Sequence, residues 1–154
     1  MKVVTLCGGV ALRGQTVSLE HGADVVVGTP GRILDHLERG SLSLAGVNTL
    51  VLDEADRMLD MGFFDDIAKV VRQCAKDRQT LLVVELKRGR ASDVVVGQIQ
   101  RYMGYVLAEL ATEEQIVRGA IIALEDDLKL RRALSVTTNI DFYRYQVSFK
   151  LLPG

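Results

Sequence analysis

The stretch Thr49-Leu50-Val51-Leu52-Asp53-Glu54-Ala55-Asp56 decides the fold class of this chain. Its apolar residues predict a buried strand over 49–53 that ends in two adjacent carboxylates. Nucleotide hydrolases use such a strand end to place a magnesium ligand and a base beside a phosphate. The same hydrolases need a glycine-rich loop that ends in Gly-Lys-Ser/Thr. No lysine of this sequence follows a glycine, so the acidic half of a phosphate site is present without its phosphate cradle.

The composition indicates an ordinary globular protein. The chain has 154 residues, 48% hydrophobic and 25% charged, which predicts one domain over 1–154. A net charge of −1 gives no global attraction to nucleic acid or to an anionic membrane. Cys7 and Cys74 are too few for a disulfide framework and are expected to be reduced thiols. The sequence has no apolar run of about 18 residues and no signal peptide, so we expect no membrane span and a cytoplasmic location.

Apolar runs alternate with helical patterns along the whole chain. This alternation predicts an α/β fold, a three-layer α/β/α sandwich around a mostly parallel, Rossmann-like sheet of six strands. The predicted strands are 2–7, 24–27, 49–53, 80–86, 117–124 and 143–151, and the predicted helices are 12–21, 30–40, 63–74, 92–110 and a short one from about 126.

Two local patterns refine this prediction. The nearly identical runs 23–28 and 92–97 are assigned to a strand and to a helix start, because Pro30 stops the first and helical spacing continues after the second. The last strand alternates apolar and polar residues, which predicts one covered face and an edge position. An exposed edge of this kind can pair with a second copy, so a homodimer through the last strand is expected.

Several motifs occur in a fixed order in the first half of the chain. Gly8-Gly9 follows the first strand, and Thr29-Pro30-Gly31-Arg32 joins a strand to a helix. The carboxylate tetrad 53–56 comes next and is followed by the run 57–63. This ordered set resembles the first RecA-like domain of DEAD-box RNA helicases over about residues 3–82.

The resemblance implies roles for seven residues. It implies contacts with RNA phosphates for five of them, Gly8, Gly9, Thr29, Gly31 and Arg32. It also implies that Asp53 holds magnesium through water and that Glu54 orients the attacking water. The family's adenine-binding and phosphate-loop segments lie upstream of the part that this sequence matches. The next family motif should read Phe-Ser-Ala-Thr, but the sequence continues from Leu82 as Val83-Val84-Glu85.

The second half of the chain is similar to another family. Glu85-Leu86-Lys87 at a strand end, together with residues 83–92, 97–99 and 123–149, resembles the nuclease domain of NucS-type endonucleases, which have the restriction-endonuclease-like fold. The resemblance implies metal-binding and catalytic roles for Glu85 and Lys87 and a supporting role for Gln98. That family also needs an aspartate about fourteen residues upstream, near Val71, where this sequence has none.

These two resemblances meet between Leu82 and Val83, within one predicted strand. We therefore expect a laboratory-made chimera of a helicase fragment (1–82) and a nuclease fragment (83–154), with no native catalytic activity and no cofactor. One alternative is a metal-dependent endonuclease in which Asp53 and Glu85 bind Mg²⁺ or Mn²⁺. The other is a fragment that binds RNA through Arg32 and its neighbours. His21 and His36 are expected to be surface polar residues.

Overall fold

The computed structural model describes residues 1–54, 62–74 and 80–148. Within these residues, strands and helices alternate as the sequence predicts. The strands are β1 (Val3–Leu6), β2 (Val25–Gly28), β3 (Thr49–Asp53), β4 (Thr80–Arg90), β5 (Ile116–Glu125) and β6 (Ile140–Arg144). The α-helices are α1 (Leu12–Glu20), α2 (Pro30–Glu38), α3 (Phe64–Gln73), α4 (Asp93–Tyr105) and α5 (Leu128–Leu134), and a π-helix (Val106–Leu110) continues α4.

The six strands form two parallel sheets. One sheet contains β1 and β2, and the other has the order β3-β4-β5-β6. Every strand pair is parallel. The predicted α/β fold with parallel strands is therefore confirmed, whereas the prediction that all six strands share one sheet is wrong.

The larger sheet is covered by helices on one face. Its strand order follows the chain order, so right-handed crossovers place α3, α4 and α5 on the same side. Side chains on that side are buried, as for Leu81, Val83 and Ile121. Alternate residues point to the other side, where Val51 and Leu86 are more than half exposed.

Strand β4 is continuous across the position where the two resemblances meet. It pairs with β3 from Thr80 to Val84 and with β5 from Thr80 to Arg90, with a shift in register between Lys87 and Arg90. The main core combines residues from both sides of that position, among them Leu52 and Ile67 before it and Ile99 and Leu130 after it. The division of the chain into domains stays a prediction.

The smaller sheet is attached to the larger one through helices. Val4, Leu6 and Leu19 form its own small core. A third cluster joins the two parts, because Ile33 and Leu37 of α2 pack against a group that contains Val70 of α3. Helices α2 and α3 therefore fix the β1–β2 unit beside the larger sheet.

A close backbone approach explains the glycine that ends β2. A Cβ at Gly28 would lie 2.7 Å from the carbonyl oxygen of Leu6 and 3.0 Å from Cγ1 of Ile33. Only a residue without a side chain allows β1, β2 and α2 to meet this closely.

The last strand is shorter than the sequence predicts. β6 is the final strand of its sheet, so the predicted edge position is confirmed. The strand ends at Arg144, and residues 145–148 are not in a strand, which corrects that part of the predicted range 143–151, whereas residues 149–151 lie outside the described residues. Tyr145 still donates its backbone N–H to the oxygen of Ala123, and its hydroxyl donates to the oxygen of Arg88. The homodimer through this edge stays a prediction.

The two nearly identical runs adopt the two predicted conformations. Val25–Gly28 is strand β2, and Asp93–Gly97 opens helix α4. Ser92 precedes α4, but its side chain makes no capping hydrogen bond. In the described residues no helix has the length and apolar character that a membrane crossing requires.

Candidate nucleic-acid interface

Two loops meet at the carboxyl end of the smaller sheet. In the parallel register Leu6 is paired with Gly28, so the loop after β1 and the start of α2 lie at the same edge. Gly8, Gly9 and Gly31 are exposed there, and a Cβ at any of them would meet no atom within 4 Å. Gly9 has φ of 77°, a left-handed conformation that favours glycine. The edge therefore presents bare backbone to solvent.

The start of α2 adds a positive electrostatic end to this edge. Thr29 is the N-cap residue and Pro30 begins the helix, so the first turn lacks one N–H. The oxygen of Thr29 accepts from the N–H groups of Arg32 and Ile33 at 3.1 and 3.0 Å. Gly31 is an exposed residue in the first turn of α2, at the positive end of the helix dipole, which attracts anions such as phosphate.

Arg32 connects these two loops. One of its terminal nitrogens, Nη1, donates to the oxygen of Val10 at 2.9 Å and to Oε1 of Gln15 at 2.9 Å. Its side chain is only 14% exposed, and Nε lies 3.9 Å from Oδ2 of Asp35. The guanidinium therefore ties the loop after β1 to α2. Its predicted contact with RNA phosphate stays a prediction.

The two carboxylates of the motif end β3 in solvent. Asp53 and Glu54 are both exposed, and the backbone N–H of Glu54 donates to Oδ1 of Asp53 at 3.0 Å. Glu54 has φ of 50°, the one non-glycine residue with a positive φ in the described parts of the chain. A non-glycine residue in this region is held there by its surroundings, and such residues cluster at functional sites. Ala55, Asp56 and the predicted run 57–61 lie outside the described residues.

The residues of the nuclease-like motif form an ion pair. Oε1 of Glu85 lies 2.6 Å from Nζ of Lys87, and the Glu85 side chain is 9% exposed. Gln98 is half-buried on α4. The ammonium therefore already neutralises the carboxylate that the resemblance assigns to a metal.

The register separates the two carboxylates of the predicted metal site. Asp53 is paired with Val84, so Asp53 and Glu85 point to opposite faces of the sheet. The two side chains therefore leave the strand pair on opposite sides, and the predicted Mg²⁺ or Mn²⁺ site at Asp53 and Glu85 stays a prediction. Among residues 1–54, 62–74 and 80–148, no group of three His, Cys, Asp or Glu side chains could hold a metal ion.

The sequence prediction missed two residues at the nucleic-acid edge. His36 is fully buried, which corrects its assignment to the surface, and Gln15 is 7% exposed. Burial lowers the pKa of His36, and the positive charges of Arg32 and Arg39 lower it further, against an opposing effect of Asp35. Arg32 and His36 are four residues apart on one helix, so both lie on the same face. This spacing was the signal in the sequence that could have linked His36 to Arg32.

A comparison with known protein families decides the assignment of the chain. Residues 1–84, more than half of the sequence, match the family model of the DEAD/DEAH box helicases. The chain belongs to this helicase family. The prediction of a RecA-like domain from a DEAD-box RNA helicase is thus confirmed.

Individual relatives agree with the family assignment. The chain is 50% identical over 100 residues to the ATP-dependent RNA helicase DbpA of Escherichia coli, covering 65% of this chain and 22% of that protein. It is 49% identical over 143 residues to a probable ATP-dependent RNA helicase of Methanocaldococcus jannaschii, covering 93% of this chain and 38% of the relative. The crystal structure of a DEAD box protein from Methanococcus jannaschii superposes with a TM-score of 0.57 at 34% identity, over 77% of this chain and 29% of that one.

These comparisons overturn the interpretation as a chimera. The archaeal helicase matches 93% of the chain, so the similarity extends well beyond the expected junction at Leu82 and Val83. The prediction of an artificial helicase–nuclease fusion without catalytic activity is therefore wrong, and so is its assignment as a non-enzyme. Residues 83–85 depart from the expected helicase motif but continue the apolar strand β4, which pairs with β3 and β5, so the departure is a local change of sequence within the helicase fold.

Proposed function

We propose that this chain is the RNA-contacting part of an ATP-dependent RNA helicase. It binds the sugar–phosphate backbone of single-stranded RNA at the edge formed by Gly8, Gly9, Thr29 and Gly31. The observation that carries the proposal is the register of Leu6 with Gly28, which brings the two glycine-containing segments of the family motif to one sheet end. Two similar proteins are an ATP-dependent RNA helicase and a probable ATP-dependent RNA helicase, which supports RNA as the ligand class.

The chemistry of this edge suits phosphate rather than bases. Exposed backbone amides and a helix N-terminus bind phosphate oxygens without reading the sequence. The net charge of −1 gives the whole chain no attraction to RNA, so binding depends on this local edge and on few contacts. We therefore expect weak, salt-sensitive binding that is independent of base sequence.

We also propose a role for Asp53 and Glu54 at the nucleotide of the complete helicase. Asp53 is exposed at the end of β3 and is suited to hold hydrated Mg²⁺, with Glu54 beside it. The sequence has no Gly-Lys-Ser/Thr to bind the phosphates, so these residues alone do not fit a complete ATP site. The chain spans 22% and 38% of two helicase relatives, and ATP hydrolysis is proposed for the complete helicase only. The cytoplasmic location stays a prediction.

Fluorescence anisotropy with a labelled single-stranded oligouridylate tests the RNA-binding proposal. Gly31→Asp places a negative charge at the α2 N-terminus, where it suits the helix but repels phosphate. Gly104→Asp is the matched control, because Gly104 is also an exposed helical glycine with no atom within 4 Å of an added Cβ. We expect Gly31→Asp to weaken RNA binding and Gly104→Asp to leave it unchanged. Equal affinities for the two variants would contradict the proposed site.

A further inference from the structure

A buried glutamine joins three segments of the RNA-binding edge. Gln15 lies on α1, and its Nε2 donates to the oxygen of Cys7 at 3.0 Å. Its Oε1 accepts from Nη1 of Arg32 at 2.9 Å and lies 3.0 Å from Nε2 of His36. One side chain thus contacts the loop after β1 and two residues of α2.

The hydrogen bonds fix the orientation of this amide. Turning the Gln15 amide over would set its NH₂ against the guanidinium of Arg32 and its oxygen against the oxygen of Cys7, so two attractive contacts would become repulsive. The oxygen of the amide accepts from Arg32, and its second lone pair is available to His36. His36 must therefore carry a hydrogen on Nε2.

The other ring nitrogen of His36 completes the network. Nδ1 lies 2.8 Å from Oγ of Ser41, which can donate its hydrogen to this nitrogen in place of the backbone oxygen of His36, 3.2 Å from the same hydroxyl. The ring is thereby held in one tautomer between Ser41 and Gln15, without contact with solvent. Every side-chain polar atom buried in the described residues has a hydrogen-bond partner, so this network is fully satisfied.

Arg32 is the member of the network that reaches the glycine loop. Its Nη1 bonds to Val10, the residue after Gly9, as well as to Gln15. With 14% of its side chain exposed, Arg32 holds its charge mainly against protein oxygens. The position of Gly8 and Gly9 relative to α2 therefore depends on how Gln15 and His36 orient Arg32.

We propose that Gln15 and His36 are positioning residues for the binding of the RNA backbone. They hold Arg32, and through it the Gly8–Gly9 loop, in register with the N-terminus of α2. The ligand is the phosphate backbone of single-stranded RNA, and the inference rests on the proposed function. Neither residue is expected to touch the RNA.

The salt dependence of RNA binding separates positioning from direct contact. Gln15→Met keeps the length of the side chain and removes its hydrogen bonds, and we expect it to weaken binding about tenfold, as for the loss of one charge-assisted bond. The slope of log K against log salt should not change, because no phosphate contact is removed. Loss of a residue that contacts a phosphate directly would reduce that slope by about 0.7 per contact. The same measurement on Arg32→Gln decides whether Arg32 acts by positioning, with an unchanged slope, or by contact.

A pair of substitutions at His36 provides a second measurement. The amide nitrogen of a glutamine can replace Nε2 of the ring, whereas that of an asparagine can replace only Nδ1. We expect His36→Gln to retain most of the RNA affinity and His36→Asn to lose about as much as Gln15→Met. Circular dichroism of each variant checks that the fold is intact, and the amide signals of Gly8, Gly9 and Gly31 in nuclear magnetic resonance spectra report the loop position.

The outcomes distinguish this inference from the function on which it rests. If folded Gln15→Met and His36→Asn bind RNA as tightly as the unchanged chain while Gly31→Asp binds less, the positioning roles are wrong and the binding site stands. If the unchanged chain does not bind RNA, the proposed function fails and the inference fails with it. Weaker binding of both variants at an unchanged salt slope, with affinity kept in His36→Gln, supports the inference.

Discussion

Glu85 and Lys87 lie on the same face of β4, two residues apart, and their Oε1 and Nζ atoms are 2.6 Å apart. The carboxylate is largely buried and the ammonium is one-third exposed. We predict that Lys87→Met lowers the free energy of unfolding by about 1–3 kcal/mol, because it leaves a buried carboxylate without its cation. Urea denaturation measures the change. Arg90→Met is the control, since the pair of Arg90 with Glu125 is exposed on both sides and its loss should cost less than about 1 kcal/mol.

The same ion pair predicts that the chain does not cut DNA. Lys87 neutralises Glu85, and Asp53 points to the other face of the sheet, so these residues do not assemble a two-carboxylate metal site. Supercoiled plasmid incubated with the protein and Mn²⁺ should remain supercoiled on an agarose gel. Nicking that disappears in Glu85→Gln would show that the residues rearrange around a cation.

Gly28 should be intolerant of even the smallest side chain. An added Cβ would lie 2.7 Å from a backbone oxygen, which cannot move independently of β1. We predict that Gly28→Ala lowers the free energy of unfolding by about 1–3 kcal/mol, as overpacking does in other cores. Gly97→Ala is the matched control within α4, where the Cβ has open space, and it should raise stability by about 0.5–1 kcal/mol. Thermal denaturation of both variants shows whether Gly28→Ala is less stable and Gly97→Ala more stable than the unchanged chain. A Gly28→Ala variant of unchanged stability would show that β1 and β2 can move apart.

The buried histidine should make stability depend on pH. Burial lowers the pKa of His36 in the folded chain below its ordinary value of 6.5, so the unfolded chain binds a proton first as the pH falls. The contribution of His36 to stability is therefore complete above about pH 6.5 and is lost as the pH falls from there toward the lowered pKa. We predict that His36→Gln flattens this part of the stability profile in urea titrations between about pH 7.5 and 5. His21→Gln, which replaces the exposed histidine, is the comparison variant for this measurement.

Local patterns predicted the elements well where packing and propensity agree. Strand β3 has the predicted bounds, Thr49–Asp53, because apolar residues end abruptly in two carboxylates. The two nearly identical runs show that context decides the rest. Pro30 starts α2 directly after β2, whereas nothing stops the helical spacing after Gly97. The sequence alone was therefore sufficient for most strands and helices.

Tertiary relations were the part that local patterns could not supply. The split into two sheets depends on which strands pair with each other. The alternation of apolar and polar residues around Tyr143 does not show which strands pair. Val83-Val84-Glu85 departs from the helicase motif but keeps a buried strand in place, so a change of motif was mistaken for a change of protein. Gln15 and His36 are polar residues on short helices, and only the packing of α1 against α2 shows that they are buried together.

The separation of the strands into a small and a large sheet also has a consequence for the dynamics of the chain. The small sheet packs on a cluster with three buried apolar residues, whereas the large sheet packs on a core whose buried residues extend along the chain from Leu52 to Ile140. Parts of a protein with few buried apolar contacts open at lower free energy than the global transition. Amide protons of β1 and β2 should consequently exchange with heavy water before those of β4. The β1–β2 sheet, which carries the glycine loop, is thus also the part that we expect to open locally most often.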